Sequence, residues 1–371
     1  MRNLAFLLLL FVSIHGFTQL PPKQAYPYDI RQIHSGHSLT DPLFGQPWPG
    51  QYVNLMTDVR GVWAGDDIGK STIPGSPIFW RWDHDSTISP SARFDIADWE
   101  LQIITEGIPI PGAQSSPVDL TDSYTYLSLY VNNAWQNGNM GNGTPTLLWT
   151  TWTSLDGTEG PWRPTLDEYE AYWEELMDYS NANRPAGATP VYIIPGHRMM
   201  RRIYDDIQLG QVPDITSIDE LFGDNIHTNS LGDYAIAMIH YACIYNESPV
   251  GLPAQLMTNP PQGFQYPSPS LAHYIQTIVW EEVTNYDRTG ITDSTSSVAE
   301  KENTSFLIHP NPASTVLHLS NVTDSDMNYS IYDYLGNTIQ SGIGPEIDVS
   351  QLETGMYFIQ VGESYEVFQK L

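Results

Sequence analysis

The chain has 371 residues, 41% of them hydrophobic, which suits one large globular domain with a smaller companion. Its 43 acidic residues against 15 basic ones give a formal net charge of −28, which repels polyanions and argues against nucleic-acid binding. A single cysteine, Cys243, rules out an internal disulfide, and it lies too far from the N-terminus to be a lipobox anchor.

In chain order, residues 1–18 read as a secretory signal. Arg2 supplies the positive charge, Leu4 to Val12 is an unbroken apolar run, and small residues at Gly16 and Thr18 place cleavage before Gln19. That run is shorter than the roughly 20 residues of a spanning helix, and no later segment is long and apolar enough to cross a bilayer. From about residue 25 to 286, extended and helical patterns alternate. Short apolar runs at Asp29–His34, Leu101–Thr105, Thr146–Trp152 and Pro190–Pro195 predict strands covered on both faces. Helical spacing of apolar residues predicts helices over Asp119–Ala134, Thr165–Asn183, Asn229–Tyr245 and Ser270–Asn285, the second opening on a Thr165/Glu168 capping box. This alternation specifies a three-layer α/β domain, whose sites sit at the carboxyl ends of its strands.

All 11 tryptophans lie between Trp48 and Trp280. Asp287 to Asn303 is polar and nearly free of aromatics, a linker composition. Closely spaced strands then follow, at Phe306–His309, Thr315–Leu319, Tyr329–Tyr332, Met356–Val361 and Tyr365–Gln369, predicting a small all-β sandwich. The expected divisions are a signal at 1–18, a main domain at 19–286, a linker at 287–304 and a C-terminal domain at 305–371.

The strand ends carry the chemistry. After the first comes Ser35-Gly36-His37-Ser38-Leu39, a turn able to present a serine hydroxyl and a free backbone N–H together. Serine is not ionised near pH 7 and needs a base. Asp224-Asn225-Ile226-His227, just before a predicted helix, can offer one: His227 to take the Ser38 proton and Asp224 to hold the other ring nitrogen. Singly, each has a plainer role: Ser38 as a turn residue, His227 on the surface, Asp224 as a helix cap. Glu106, Trp152 and Thr153 stand at predicted strand ends and are expected to line a substrate cleft, although buried core is the default for a tryptophan; His197 is expected near the rim of the cleft, with a structural role as the stronger reading. His34, His37, His84, His197 and His227 form no tight ligand pair of the H-E-x-x-H kind, so no metal site is expected.

These motifs also resemble known families. "SGHSL" at 35–39 and "DNIHTNSLG" at 224–232 are similar to the first and last blocks of SGNH/GDSL hydrolases, and "STIPGSP" at 71–77 resembles their second block. The resemblance implies a flavodoxin-like α/β/α fold and cofactor-free ester hydrolysis, often of acetyl groups on sugars. It implies Ser38 as nucleophile, His227 as base, Asp224 as orienting acid and Gly75 as an oxyanion donor. Two departures stand out: His37 replaces the usual aspartate before the serine, and the third block's asparagine has no counterpart where Leu101–Thr105 runs into Glu106-Gly107. That second departure keeps open a non-catalytic surface protein binding glycan or another cell on the same scaffold. At the C-terminus, "HPNPAS" (309–314), "YDYLGNTI" (332–339) and "LETGMYFIQV" (352–361) resemble the type IX secretion sorting domain. That resemblance implies a Bacteroidetes-type envelope, secretion machinery engaged through residues 305–371, and release or attachment at the outer cell surface.

Overall fold

The computed structural model describes residues 20–43, 48–59, 68–110, 119–255, 257, 260–292, 306–320, 328–333, 337–361 and 364–371. The signal expected over residues 1–18 lies outside them. The chain divides into two compact units, Met1–Asp293 and Ser294–Leu371.

Among the described residues, the first unit is built on five parallel strands: β1 (Gln32–Gly36), β2 (Ile68–Thr72), β3 (Leu101–Ile104), β4 (Thr146–Thr150) and β5 (Tyr192–Pro195). Their order is β2-β1-β3-β4-β5, that of the flavodoxin-like doubly wound sheet. Strands β1, β3, β4 and β5 are buried at every residue, as both-face coverage requires. Successive side chains alternate between two cores. Ile33, Ile104, Leu148 and Ile193 face one, with helices α2 (Ile78–His84), α3 (Leu120–Asn137) and α4 (Trp162–Asn183). Ile103, Leu147, Trp149 and Ile194 face the other, with α1 (Pro49–Val59), α5 (Gly196–Gln208), α6 (Ser230–Tyr245) and α7 (Pro269–Thr284). The result is the expected α/β/α sandwich. The 16-residue helix α6 is apolar on nearly every side and is buried accordingly.

Local chemistry sets the helix starts. Asp119 accepts Thr121 N–H at 2.8 Å before α3, Asn229 accepts Leu231 N–H at 2.9 Å before α6, and Ser268 accepts Leu271 N–H at 3.1 Å before α7. The capping box expected at Thr165 is not the start of α4. The helix begins at Trp162 after Pro161, and the Thr165 hydroxyl donates back to Pro161 O at 2.9 Å from inside the first turn. The start of the expected linker also belongs to the first unit. Asp287–Thr289 forms a turn in which Arg288 bonds Asp178 (2.5 Å), and Ile291 is buried in the α6–α7 core.

Among the described residues, the second unit has seven strands in two antiparallel sheets. One is ordered β10 (Glu346–Asp348), β7 (Val316–Ser320), β6 (Leu307–His309); the other β12 (Ser364–Lys370), β11 (Gly355–Val361), β8 (Asn328–Tyr332), β9 (Thr338–Ile343). Leu317, Leu319 and Ile347 of the first sheet pack with Ile331, Ile359 and Phe368 of the second, closing a small sandwich.

Under the first sheet, the rings of His34 and His240 stack with centroids 5.7 Å apart. Burial drives His34 well below its ordinary pKa and His240 to about 4. Both are therefore neutral in the folded unit, whereas an unfolded chain protonates them near pH 6.5. With the folded pKa depressed, the unfolded state binds more protons below about pH 6.5, so stability is lost as pH falls through that value toward about 4. The buried acid Asp233, whose pKa burial raises, acts in the opposite sense. The histidine contribution is therefore isolated by comparing wild type with His240→Gln in denaturant, followed by tryptophan fluorescence, which reports on this unit alone. The stability difference between the two should move against the wild type on going from pH 7 to pH 5, by up to about 1.4 kcal/mol per pH unit. A constant difference would mean that His240 is not held neutral.

Candidate active site

Strand β1 ends at Gly36, where a side chain has no room: a Cβ there would lie 1.9 Å from Thr40 Oγ1 and 2.8 Å from Thr40 Cβ. The chain then turns, with Thr40 N–H bonded to His37 O at 3.0 Å. His37 is buried beneath this turn. Its Nδ1 accepts Leu39 N–H at 3.2 Å, which puts the ring proton on Nε2, donated to Glu106 O at 2.8 Å. Burial, with the nearby Arg81 charge, takes the His37 pKa down to about 3, so the ring stays neutral. Gly36→Ala should therefore cost about 1–3 kcal/mol and displace the turn, read as a lower melting temperature together with loss of any activity that depends on Ser38. A variant with wild-type melting and activity would show that Thr40 gives way freely.

The turn leaves Ser38 half-buried, its Oγ 2.8 Å from His227 Nε2. His227 Nδ1 lies 2.7 Å from Asp224 Oδ2. The other carboxylate oxygen, Oδ1, accepts Ile226 N–H at 2.8 Å and His227 N–H at 2.7 Å. Partial burial pushes the Asp224 pKa up, but these backbone donors and the imidazole outweigh it and hold the carboxyl below its ordinary value. With Oδ2 an acceptor only, Nδ1 carries the proton and the Nε2 lone pair faces the serine hydroxyl.

The Asp224–His227 segment is braced from both sides. Phe222 and Thr228 form an antiparallel bridge, and Gly223 N–H bonds His227 O at 2.8 Å. From the β4 end, Leu155 N–H donates to Asn225 O at 2.6 Å and Trp152 Nε1–H to Ile226 O at 2.9 Å. Ser38, Asp224 and His227 thus converge from 189 positions apart at the carboxyl end of the sheet.

The other expected site residues fare differently. Gly75 sits at φ +68° in a turn closed by Ser76 N–H to Ile73 O at 3.2 Å, with Pro74 before it, the signature of a type II turn. That closing bond does not use the Gly75 N–H. Neither Trp152 nor Thr153 lines a cleft: both are fully buried, with Trp152 packed on Trp149 and Phe222 and the Thr153 carbonyl taken by Trp162 Nε1–H. Nor does His197, which is wholly buried between Thr150 Oγ1 (2.7 Å) and Glu170 Oε2 (3.2 Å). Glu106 is buried too, its oxygens occupied by Ile78 N–H (2.7 Å), Gly107 N–H and the Ser123 hydroxyl (2.7 Å). Each follows a strand end as expected, but the side chain packs beneath the surface instead of opening onto it. Sequence reasoning passed over Arg81, a fully buried guanidinium that bonds Ser76 O at 2.7 Å and also Thr105 O. Its signal was a lone cation in an aromatic stretch directly after the Gly75 turn. A cavity of about 610 Å³ opens elsewhere, lined among others by Asp214, Glu220, Leu231 and Tyr266; Ser38, Asp224 and His227 do not line it.

Several solved structures are similar to the chain. A DUF4886 family protein from Bacteroides uniformis is 15% identical, over 72% of this chain and 98% of its own, with a TM-score of 0.47. The acetyl xylan esterase AlAXEase is 13% identical, over 57% of this chain and 99% of its own, with a TM-score of 0.40. A GDSL-like lipase from Bacteroides thetaiotaomicron is 12% identical, over 60% of this chain and 92% of its own, with a TM-score of 0.36. No curated protein matches the chain. Residues 307–371 match the secretion system C-terminal sorting domain family, which marks the chain as secreted or attached at the outer cell surface.

Proposed function

We propose that the first unit is a serine esterase that hydrolyses acyl esters, acetyl esters of carbohydrates above all, and that its C-terminal unit engages the type IX secretion machinery. The observation that carries the esterase reading is the row of hydrogen bonds from Ser38 Oγ through His227 to Asp224, at 2.8 and 2.7 Å. In this reading Ser38 attacks the ester carbonyl while His227 Nε2 takes its proton. The imidazolium, stabilised by Asp224, returns that proton to the leaving alkoxide. Water then attacks the acyl-enzyme by the same route, releasing the acid. The N–H groups of Ser38 and Gly75 would hold the oxyanion. The residues themselves perform every step. The substrate class follows from the motifs' resemblance to sugar-ester hydrolases and from a destination outside the cell, where acylated polysaccharides are met.

The test is hydrolysis of p-nitrophenyl acetate and of acetylated xylan by the purified protein, with an alkyl fluorophosphonate as a covalent probe of Ser38. Turnover of both esters and labelling at Ser38 are expected. Labelling and p-nitrophenyl acetate turnover without release from xylan would keep the serine esterase and remove the glycan. Neither turnover nor labelling in a folded protein would favour the non-catalytic binding protein.

A further inference from the structure

Three loops meet beneath Ser38: the turn after β1, the Gly75 turn after β2, and Thr105-Glu106-Gly107 after β3. We infer that a buried network of His37, Glu106 and Arg81 locks these loops together and positions Ser38 and the Gly75 N–H for reaction, where the SGNH pattern's third-block asparagine has no counterpart. The inference rests on the esterase reading above.

The network reaches all three loops through the backbone. His37 Nε2–H holds Glu106 O at 2.8 Å, tying the nucleophile turn to the end of β3. Arg81 Nη1 donates to Ser76 O at 2.7 Å, the residue after Gly75, while Nη2 donates to Thr105 O. The Glu106 carboxylate takes Gly107 N–H of its own loop and Ile78 N–H (2.7 Å) at the start of α2, directly after the Gly75 turn. A third anchor is the Ser123 hydroxyl on α3, 2.7 Å from Glu106 Oε2. Arg81 and Glu106 are 0% and 2% exposed. Burying two opposite charges is costly, and apolar residues of similar volume would commonly stabilise a core as well or better. What the charges supply here is strong, directional hydrogen bonding to backbone groups at strand ends. A site built on loops needs such a supporting layer, because displacement of an oxyanion donor by a fraction of an ångström weakens the transition state more than the ground state. These three are positioning residues: their hydrogen bonds fix the backbone of the loops that carry Ser38 and Gly75.

Two substitutions at His37 separate its two bonds. Asparagine places an acceptor where Nδ1 sits, keeping the Leu39 bond and losing the tie to Glu106. Glutamine places a donor where Nε2 sits, doing the reverse. Rates on p-nitrophenyl acetate, expressed per Ser38 labelled to end point by the fluorophosphonate, remove any contribution from misfolded protein. His37→Asn is expected to lower kcat about 10- to 100-fold with KM within about twofold, and His37→Gln to retain more of kcat than His37→Asn. Glu106→Gln, which keeps one carbonyl acceptor and the volume, is expected to recover activity relative to Glu106→Ala. Wild-type kcat per labelled site in His37→Asn, or equal losses in the two His37 variants, would overturn the positioning role while leaving the esterase standing. Absence of both labelling and turnover in the wild type would remove the esterase reading and this role with it.

Discussion

Ser38→Ala is expected to lower kcat on p-nitrophenyl acetate by about 10⁴- to 10⁶-fold, with KM little changed. The size follows from the division of labour. Removing Oγ removes the atom that forms the acyl-enzyme, and His227 is left activating water that no bond holds in place. Whatever remains would come from substrate binding and the oxyanion donors, which alone sustain about 10³–10⁴ over water in well-studied serine proteases. The fold should not notice the change. The turn is held by Thr40 N–H on His37 O and Leu39 N–H on the His37 ring, and neither bond uses the Ser38 hydroxyl. His227 keeps its bond to Asp224. Unfolding free energies of the two proteins should therefore agree within about 0.5 kcal/mol, as for a surface substitution. A loss below tenfold would mean that ester hydrolysis proceeds without Ser38. A large loss together with a collapsed melting temperature would mean that the hydroxyl supports the turn.

Much of this architecture can be read from the chain, for identifiable reasons. Strands β3, β4 and β5 announce themselves as apolar runs because both faces of the sheet are covered, whereas β1, Gln32-Ile33-His34-Ser35-Gly36, is equally buried with Ile33 as its one large aliphatic residue. The edge strand β2, Ile68-Gly69-Lys70-Ser71-Thr72, escapes notice because only alternate residues are buried and Lys70 reaches out to pair with Asp41. Helix α2 is seven residues long, too short for a periodic signal, whereas α5 does carry one, burying Met199, Met200, Ile203 and Ile207 at helical spacing while Arg198, Arg201 and Arg202 stay partly exposed. In the second unit β9 and β10 were missed; β9 is largely exposed and lacks an apolar face.

The site divides along similar lines. Ser38, Asp224 and His227 are legible because each lies in a short motif whose neighbours, a glycine at a strand end and a capping asparagine before a helix, fix the local geometry. Glu106, Trp152 and His197 follow strand ends as their positions predict, but all three are buried. Periodicity locates a residue along the sheet axis but does not say whether its side chain turns up toward solvent or down into the packing. Their buried roles are supportive: Trp152 holds the Ile226 carbonyl within the Asp224–His227 segment, and Glu106 gathers N–H groups from two loops. Arg81 stands out in sequence as a lone cation in an aromatic stretch, but its role is not legible there, because its shortest bonds go to backbone carbonyls, one of them 24 positions away, and carbonyls carry no sequence signature.

Asp224→Asn is the sharper probe, because the structure dictates which way the new amide must point. In the wild type, Oδ1 accepts two backbone N–H groups, from Ile226 and His227. An asparagine amide nitrogen cannot accept them, so the carbonyl oxygen has to occupy the Oδ1 position. The NH₂ group is then forced into the Oδ2 position, 2.7 Å from His227 Nδ1. Two donors cannot face each other, so Nδ1 must give up its proton and accept. The neutral ring then carries its proton on Nε2, pointing at Ser38 Oγ, and has no lone pair with which to take the serine proton. The expected consequence is a fall in kcat of about 10⁴-fold near neutral pH with the backbone of the loop intact. Asp224→Ala removes the acceptor without imposing that tautomer and should be less damaging than Asp224→Asn, even though it discards more of the side chain. The Asp224 side chain is 52% exposed, so water can solvate the imidazolium in the alanine variant. Rates for the two variants, measured on p-nitrophenyl acetate from pH 6 to 9, decide the matter. If alanine proves the worse substitution, Asp224 acts chiefly through its charge and through bracing the loop, and the tautomer argument fails.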